Sequence, residues 1–397
     1  MRRVLILSDA HLAPYVQGSG PWLAYRRREE SPDRLLASVI DRALQGPAPL
    51  DVVLAGDLFD FDAPPDDSAA TAHSYALARS DSGAAIAMTT ILVDHAPFFA
   101  ALGRVLQRGG RVIVLPGNHD AQLAFPSVQR VLRTAFGNAP NLILRPWFHK
   151  DGELFIEHGH QYDPLCAMTS LVPKPNARGY GYPSQLEDTV GSVSTHFGQA
   201  VFGLSNPYVA DPFAQGVTRS PDVRESLGIA IANPSHLACA MSALRELMTL
   251  DRKSETAATS SFAPMPPHAV LAAQEVAAPV PVLAAHARLA APKADGASLA
   301  EAASRAIDYG ADVEARQLEA MRRIGLLYSS RAVVMGHTHA PFVRTENGVS
   351  LVNSGSWVPA SGDPSAPAGT FVDALVDPGG RLRSIALRRA HRDGTVE

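Results

Sequence analysis

The chain has few cysteines for its length. Cys166 and Cys239 are the only two among 397 residues. Two cysteines cannot build a disulfide framework or a zinc site made of thiolates, and such scarcity is typical of a reducing compartment. We therefore expect a cytoplasmic protein, and its length is sufficient for a large hydrophobic core.

Long apolar runs are also missing. The longest uncharged candidate, at 227–244, is interrupted by a polar stretch around Pro234, whereas a membrane-spanning helix needs about 20 apolar residues. The apolar run Val4–Leu7 is shorter than the roughly 7–15 residues of a secretory signal core. We expect a buried strand there and no transmembrane segment, and peripheral membrane contact stays open.

No excess of positive charge is present. The chain has 35 Lys and Arg against 39 Asp and Glu, which gives a net charge of −4. A basic field that would attract nucleic acid over the whole molecule is therefore excluded, although a local basic patch is not. The charged and apolar fractions, 19% and 46%, are typical of a soluble globular protein. The oligomeric state is left open.

What the chain does contain is a series of short apolar runs, each followed by a polar or glycine-rich turn. Such runs predict buried strands. Helical patterns lie between them, at 33–44 and at 84–107, where Pro97 is expected to divide the helix. Strands alternating with helices indicate an α/β core. The runs are Val4–Leu7, Val52–Ala55, Val112–Leu115, Leu154–Ile156, Ala332–Met335 and Val349–Val352.

The middle of the chain has a different composition. It begins with a stretch rich in Gly, Pro and Tyr at 173–185, continues with a largely helical pattern over 191–250, and becomes rich in Ala and Pro over 251–300. The last stretch is typical of a flexible segment. We predict core residues 1–164, a mainly helical insertion at 165–325, and the rest of the core at 326–397.

Five of the polar turns contain residue types that bind metals. Because strand ends line the ligand crevice of α/β sheets, we expect these turns to converge. Gly336 is expected to let its strand turn sharply. The turns read SDAH (8–11), GDLFD (56–60), GNHD (117–120), EHGH (157–160) and GHTH (336–339).

These turns offer seven oxygen or nitrogen ligands, too many for one ion once water is included. They suit two ions about 3.5–4 Å apart that share a carboxylate, for which Asp57 is the natural candidate. Carboxylate and imidazole without thiolate favour Mn²⁺, with Fe or Zn²⁺ as alternatives. The seven are Asp9, His11, Asp57, Asn118, His158, His337 and His339.

The five motifs in this order resemble those of the calcineurin-like metallophosphoesterases, and the VNSGSW stretch (352–357) resembles the turn that follows in many members. The resemblance covers about 1–164 and 326–375. It implies a β-sandwich of two mixed sheets flanked by helices. It also implies a hydrolase acting on phosphodiesters, pyrophosphates or phosphomonoesters, in which two ions activate a shared water and the resulting hydroxide attacks phosphorus.

The resemblance also implies a role for each site residue. One ion would be held by Asp9, His11 and His339. The other would be held by Asn118, His158 and His337, with Asp57 bridging the two. His119 would act as general acid or stabilise the transition state, and Asp60 would orient it.

The substrate is less constrained. His160, Arg26, Arg27 and Arg28 are candidate substrate contacts. Phe61 follows the second motif where protein phosphatases of the family have Arg-Gly, and GDLFD resembles both DNA-repair nucleases and the pyrophosphohydrolase of lipid A synthesis. A nucleotide-sugar or lipid-linked substrate is therefore one expectation. The alternatives are a nucleic-acid hydrolase, or repair-type nuclease with partners, and a metal-binding scaffold without catalysis.

Overall fold

The computed structural model describes residues 1–15, 26–61, 81–162, 175–176, 179–180, 309–358 and 368–397. The predicted helical stretch at 191–250 and the predicted flexible stretch at 251–300 lie outside these residues. Of the predicted insertion, the structure describes a two-stranded ribbon, β7 (Pro175–Asn176) and β8 (Gly179–Tyr180), and a helix from residue 309 onward.

The first sheet has six strands. Its parallel part is formed by apolar strands that are buried almost throughout, as expected for parallel strands with both faces covered. Two antiparallel strands extend this parallel part on one side. In spatial order the strands are β13 (Leu382–Ala390), β12 (Gly369–Val376), β1 (Arg2–Leu7), β2 (Leu50–Ala55), β3 (Val112–Leu115) and β4 (Leu142–Leu144).

The second sheet has five strands and packs against the first. Buried side chains from β1, β2, β3 and β12 meet those from the second sheet in one apolar cluster, so the two mixed sheets form the predicted sandwich. In spatial order its strands are β10 (Phe342–Glu346), β11 (Val349–Asn353), β9 (Ala332–Met335), β6 (Leu154–Ile156) and β5 (His149–Asp151).

Helices cover the outer faces of the sandwich. The predicted division near Pro97 is confirmed, because the helices α2 (Asp81–Asp94) and α3 (Ala96–Gln107) are bent by 88° relative to each other at His95. On the second sheet, α5 (Tyr309–Leu327) packs against β9 and β11. The described helices are α1 (Asp33–Leu44), α2 (Asp81–Asp94), α3 (Ala96–Gln107), α4 (Pro126–Ala135) and α5 (Tyr309–Leu327). None of them alone is long and apolar enough to cross a membrane, although the bent pair α2 and α3 passes that test jointly.

All six predicted strands are present, but several others were missed. β13 reads LRSIALRRA, and its exposed arginines break the apolar run on which the prediction depended. It is an edge strand, and exposed charges there discourage pairing with another chain. Its partner β12 is mostly buried but carries Thr370 and Asp373 within its apolar residues.

An ion-pair cluster joins the two sheets at the amino ends of β1 and β2. The guanidinium group of Arg111 lies 2.7 Å from Asp51 in the first sheet and 2.6 Å from Asp151 in the second. Arg2 contacts both carboxylates as well. Beside them, burial lowers the pKa of His149 to about 4, and the nearby Asp151 opposes that shift only in part. With so low a pKa, His149 is uncharged at neutral pH beside these ion pairs.

Candidate metal centre

The five polar turns lie together at one end of the sandwich. The turns after β1, β2 and β3 come from the first sheet, and those after β6 and β9 come from the second. Backbone hydrogen bonds connect neighbouring turns: Asp9 N–H donates to Gly56 O at 3.1 Å, and Gly336 N–H donates to His158 O at 2.9 Å. The predicted convergence of the strand ends therefore occurs, with contributions from both sheets.

Five of the proposed ligands have left-handed backbone conformations. Non-glycine residues seldom adopt positive φ, and such strain is concentrated at functional sites. The surrounding turns hold the strained residues in place, as where His11 N–H donates to Asp57 O at 3.0 Å. The φ values are 52° for Asp9, 46° for His11, 51° for Asp57, 72° for His337 and 55° for His339.

One group of ligand atoms belongs to Asp9, His11 and His339. His339 Nε2 lies 3.2 Å from Asp9 Oδ1 and 3.3 Å from His11 Nε2. Asp9 and His11 are buried, whereas the side chain of His339 is 27% exposed. This group therefore has its open side at His339.

A second group belongs to Asp57, His158 and His337, with the amide of Asn118 between the two imidazoles. His158 Nε2 lies 3.1 Å from Asp57 Oδ2 and 3.3 Å from Asn118 Oδ1. His337 Nδ1 lies 3.1 Å from the same Asn118 oxygen. The two histidines of GHTH are thus in different groups.

Asp57, a member of the second group, also lies close to His11 of the first group. Its carboxylate belongs to the set with His158 and His337 and also to a set with His11 and His119. All ligand atoms within each set lie within 4.8 Å of one another. A carboxylate between two ligand groups is the arrangement required of a bridging ligand.

The observed spacings fit metal coordination. With metal–ligand bonds of about 2.0–2.2 Å, neighbouring ligand atoms around one ion lie roughly 3.0–3.5 Å apart. The contacts from His339 Nε2 to Asp9 Oδ1 and from His158 Nε2 to Asp57 Oδ2, at 3.2 and 3.1 Å, fall in that range. The donor set of carboxylate, amide oxygen and imidazole suits Mn²⁺, Fe or Zn²⁺.

Glycines allow the ligand turns to approach one another. A Cβ on Gly117 would lie 2.1 Å from Asp57 Oδ1, and one on Gly336 would lie 2.3 Å from Asp9 Oδ2. At Gly56, which has φ of 87°, a Cβ would lie 2.6 Å from the Cβ of His158. Gly336 does not have positive φ. The closeness of Gly336 to Asp9 is therefore a steric reason for glycine at this position, and its expected role in a sharp turn stays a prediction.

The site's charges favour a bound cation. Burial opposes protonation of His158, but the carboxylates of Asp57 and Asp9 outweigh it and raise its pKa to about 9. Burial opposes ionisation of Asp57, and neighbouring His158 still holds the pKa of that carboxyl well below its usual value. Burial lowers the pKa of His11 well below its usual value, so that imidazole is neutral and able to bind a metal.

A family model for calcineurin-like phosphoesterases matches residues 2–196, which include four of the five motifs. The chain belongs to the calcineurin-like phosphoesterase family. The predicted family, fold and enzyme class are thereby confirmed, and the chain is a phosphoester hydrolase. A solved structure of a dimetal phosphatase from Danio rerio is similar over 97% of this chain and 98% of its own, with 13% identity and a TM-score of 0.35. No curated protein matches the chain.

In this phosphoesterase, His119 lies at the edge of the ligand groups and is partly exposed. Its backbone N–H donates to Asp57 Oδ1 at 2.9 Å, and its ring centre is 5.1 Å from that of His11. Burial lowers its pKa, against the pull of Asp57. Asp60 is buried, and the N–H of the next residue, Phe61, donates to His119 O at 3.3 Å. Orientation of the His119 ring by Asp60 stays a prediction.

The role of Asp120 was missed, although it is the last residue of GNHD. Its buried carboxylate accepts backbone N–H groups from Gly117 at 2.5 Å, Leu58 at 3.0 Å and Phe59 at 3.3 Å. It therefore connects the second and third motifs of the phosphoesterase. Burial, followed by the charge of Asp57, raises its pKa to about 7.

The turn after β11 forms hydrogen bonds with the backbone of Asp9, the first proposed ligand along the chain. The carbonyl of Asp9 accepts hydrogen bonds from Ser356 Oγ and from Trp357 N–H, both at 3.0 Å. Behind it, the hydroxyls of Ser8 and Ser354 lie 2.6 Å apart. The resemblance of VNSGSW to a family turn signalled this segment, and the structure shows that its contact is with the backbone of Asp9.

The candidate substrate contacts are placed differently from one another. Arg26 is buried, and its Nη2 donates to Pro14 O at 2.8 Å, so it supports the loop after the first motif. Arg27 and Arg28 lie on the following turn, where Arg28 is exposed. His160 is 2% exposed, with its Nε2 3.0 Å from the amide nitrogen of Gln161. Contact of these four with substrate stays a prediction.

Proposed function

We propose that this phosphoesterase hydrolyses its substrate with two divalent ions, Mn²⁺ first among the candidates, held on either side of Asp57. The observation that carries the proposal is that Asp57 lies in one cluster of possible ligand atoms with His158 and His337 and in another with His11 and His119. One ion would be held by Asp9, His11 and His339, and the other by Asn118, His158 and His337.

When bound, such a pair of ions supplies Lewis acidity and lowers the pKa of water toward neutrality. The chain's own part is to fix geometry and move protons. The backbone of His119 is anchored on Asp57, and its ring lies beside His11. We infer that this imidazole gives a proton to the leaving oxygen or stabilises the developing charge. Asp60 would hold the ring in place.

The substrate class we favour is a phosphodiester or pyrophosphate, including nucleotide-sugar or lipid-linked compounds. GDLFD resembles both the pyrophosphohydrolase of lipid A synthesis and DNA-repair nucleases, but the net charge of −4 counts against a nucleic-acid substrate, and Phe61 argues against a protein phosphatase. A nucleic-acid hydrolase has less support. Arg331, Arg381 and Arg383 line a cleft of about 540 Å³. This cleft opens near the amino ends of β9 and β13. Because β9 carries the GHTH ligands at its opposite, carboxyl end, the basic cleft does not adjoin the metal centre. The low cysteine count supports a cytoplasmic location.

The proposal is tested by a substrate panel on the full chain after loading with Mn²⁺, Zn²⁺ or Fe²⁺. The panel contains phosphomonoesters, phosphodiesters, nucleotide-sugars and DNA. We expect turnover of at least one class and loss of most activity and bound metal in Asp57→Asn. Asp41→Asn makes the same chemical change at an exposed ion pair with Arg104 and should behave as wild type. A wild-type protein that holds two ions and turns over no class would refute the proposed function.

A further inference from the structure

A fully buried amide lies next to the metal centre on an element outside the five motifs. Gln317 is on α5, which packs on β9 and β11 and begins inside the predicted insertion. Burying an amide is costly unless its hydrogen bonds are made. Its Nε2 donates to Gly336 O at 3.0 Å, and its Oε1 accepts from Asn353 Nδ2 at 3.1 Å.

The Gly336 peptide group is the centre of this network. Its N–H donates to the carbonyl of His158 at 2.9 Å. Its carbonyl accepts from Gln317, from Asn353 Nδ2 at 2.8 Å, and from the backbone N–H of Thr338 at 2.9 Å. Gly336 is thus held on both sides, one position before the ligand His337.

The bond from Thr338 N–H to Gly336 O closes a three-residue turn around His337, whose φ is 72°. Positive φ at the centre of such a turn is the classic γ form, which is rare and strained. Strain of this kind persists only when surrounding contacts fix it. The side-chain amides of Gln317 and Asn353 supply two of those contacts.

Gln317 also packs on the other turn of the same ligand group. Gly159 has φ of 102°, and a Cβ placed there would lie 2.4 Å from Gln317 Nε2. Because Gly159 directly follows His158, one amide group touches the turns that carry both His158 and His337. The side chains of these two histidines approach the same Asn118 oxygen, at 3.3 and 3.1 Å.

We propose that Gln317 is a positioning residue that fixes the separation of His158 and His337 and thereby sets the affinity of the ion they hold. This inference rests on the proposed function, because it takes those histidines as ligands of one ion. It assigns to α5, outside the ligand motifs, a direct part in building the metal centre.

The test is Gln317→Met in the full chain, which keeps length and volume but removes the donor and the acceptor. Mn²⁺ binding is titrated calorimetrically. Outer hydrogen-bond partners of metal ligands typically contribute 10–100-fold in metal affinity. We expect one of the two dissociation constants to rise by about that factor while the other stays within about threefold. If both Mn²⁺ dissociation constants of Gln317→Met equal those of the wild-type protein, the proposal is overturned.

Leu318→Ala is the matched control, because Leu318 is the next residue of α5 and packs in the apolar cluster of the second sheet. It should lower the melting temperature but keep both metal affinities; an equal loss of affinity would show that Gln317 acts only through helix packing. If Gln317→Met does not fold, Gln317→Asn keeps the amide but shortens the side chain by one methylene, so that the amide no longer reaches Gly336 O. Wild-type affinity in that variant would equally overturn the proposal.

The same titration separates this inference from the proposed function. A wild-type chain that binds no ions, or that binds two and turns over no substrate, contradicts the proposed function itself. A wild-type chain that binds two ions and is active, beside an unchanged Gln317→Met, contradicts only the role of Gln317.

Discussion

Replacing Gly336 with alanine should damage the metal centre without changing any ligand. The new Cβ would lie 2.3 Å from Asp9 Oδ2 and 2.6 Å from Ser8 Oγ. To reach 3.0 Å, below which real Cβ contacts essentially never occur, the carboxylate must retreat by about 0.7 Å. Metal–ligand distances tolerate only about 0.2 Å. Gly336 does not have positive φ, so the effect is steric and not conformational.

Displacement of Asp9 should therefore lower the affinity for the ion that Asp9 would hold together with His11 and His339. We expect a loss of about 10–100-fold in affinity, equivalent to roughly 1.4–2.7 kcal/mol. Overpacking should also lower the free energy of unfolding of the metal-free protein by about 1–3 kcal/mol. Calorimetric titration with Mn²⁺ measures the first quantity, and urea unfolding in chelator measures the second.

Gly103→Ala is the control for this experiment. Gly103 lies within α3, and a Cβ there would meet no atom within 4 Å. Alanine is favoured over glycine inside a helix by about 1 kcal/mol, so this variant should be slightly more stable and keep both ions. A Gly336→Ala protein that binds two ions with wild-type affinity would refute the steric argument, because Asp9 would then have adjusted without cost.

Three further predictions concern the described core. Burial lowers the pKa of folded His149 to about 4 from an ordinary 6.5, so the stability that the neutral imidazole contributes is complete above pH 6.5 and is lost as pH falls toward 4. Urea unfolding at several pH values should show that loss in wild type but not in His149→Gln. Parallel plots of unfolding free energy against pH for the two proteins would contradict this prediction. Burial disfavours a proton on His158, but Asp57 and Asp9 raise its pKa to about 9. A bound ion must displace that proton, so Mn²⁺ affinity should increase as pH rises toward 9, and calorimetry in two buffers of different ionisation enthalpy should detect proton release at pH 7. Asp120→Ala leaves three buried N–H groups without the carboxylate that accepts their hydrogen bonds. It should lower the free energy of unfolding, measured in urea, by roughly 3 kcal/mol or more. A loss below about 1 kcal/mol would contradict this, because water would then have replaced the carboxylate.

Much of this architecture is local in origin and could be predicted. A parallel strand buried on both faces is an uninterrupted apolar run, which is why β1 and β3 were recognised from Val4–Leu7 and Val112–Leu115. The ligand motifs follow such runs directly, so their position at strand ends required no long-range information. The edge strand β13 was missed because half-exposed strands contain polar residues at irregular positions.

The sequence by itself determined the ligand types, their order and the strand ends that carry them, because each depends on a few neighbouring residues. Only the tertiary structure decided which groups meet. It brought Gln317 onto the Gly336 carbonyl, joined Asp120 to the second motif, and made Gly336 necessary through its distance to Asp9. Such contacts join residues that are far apart in the chain, and they form only when two sheets and a helix pack together.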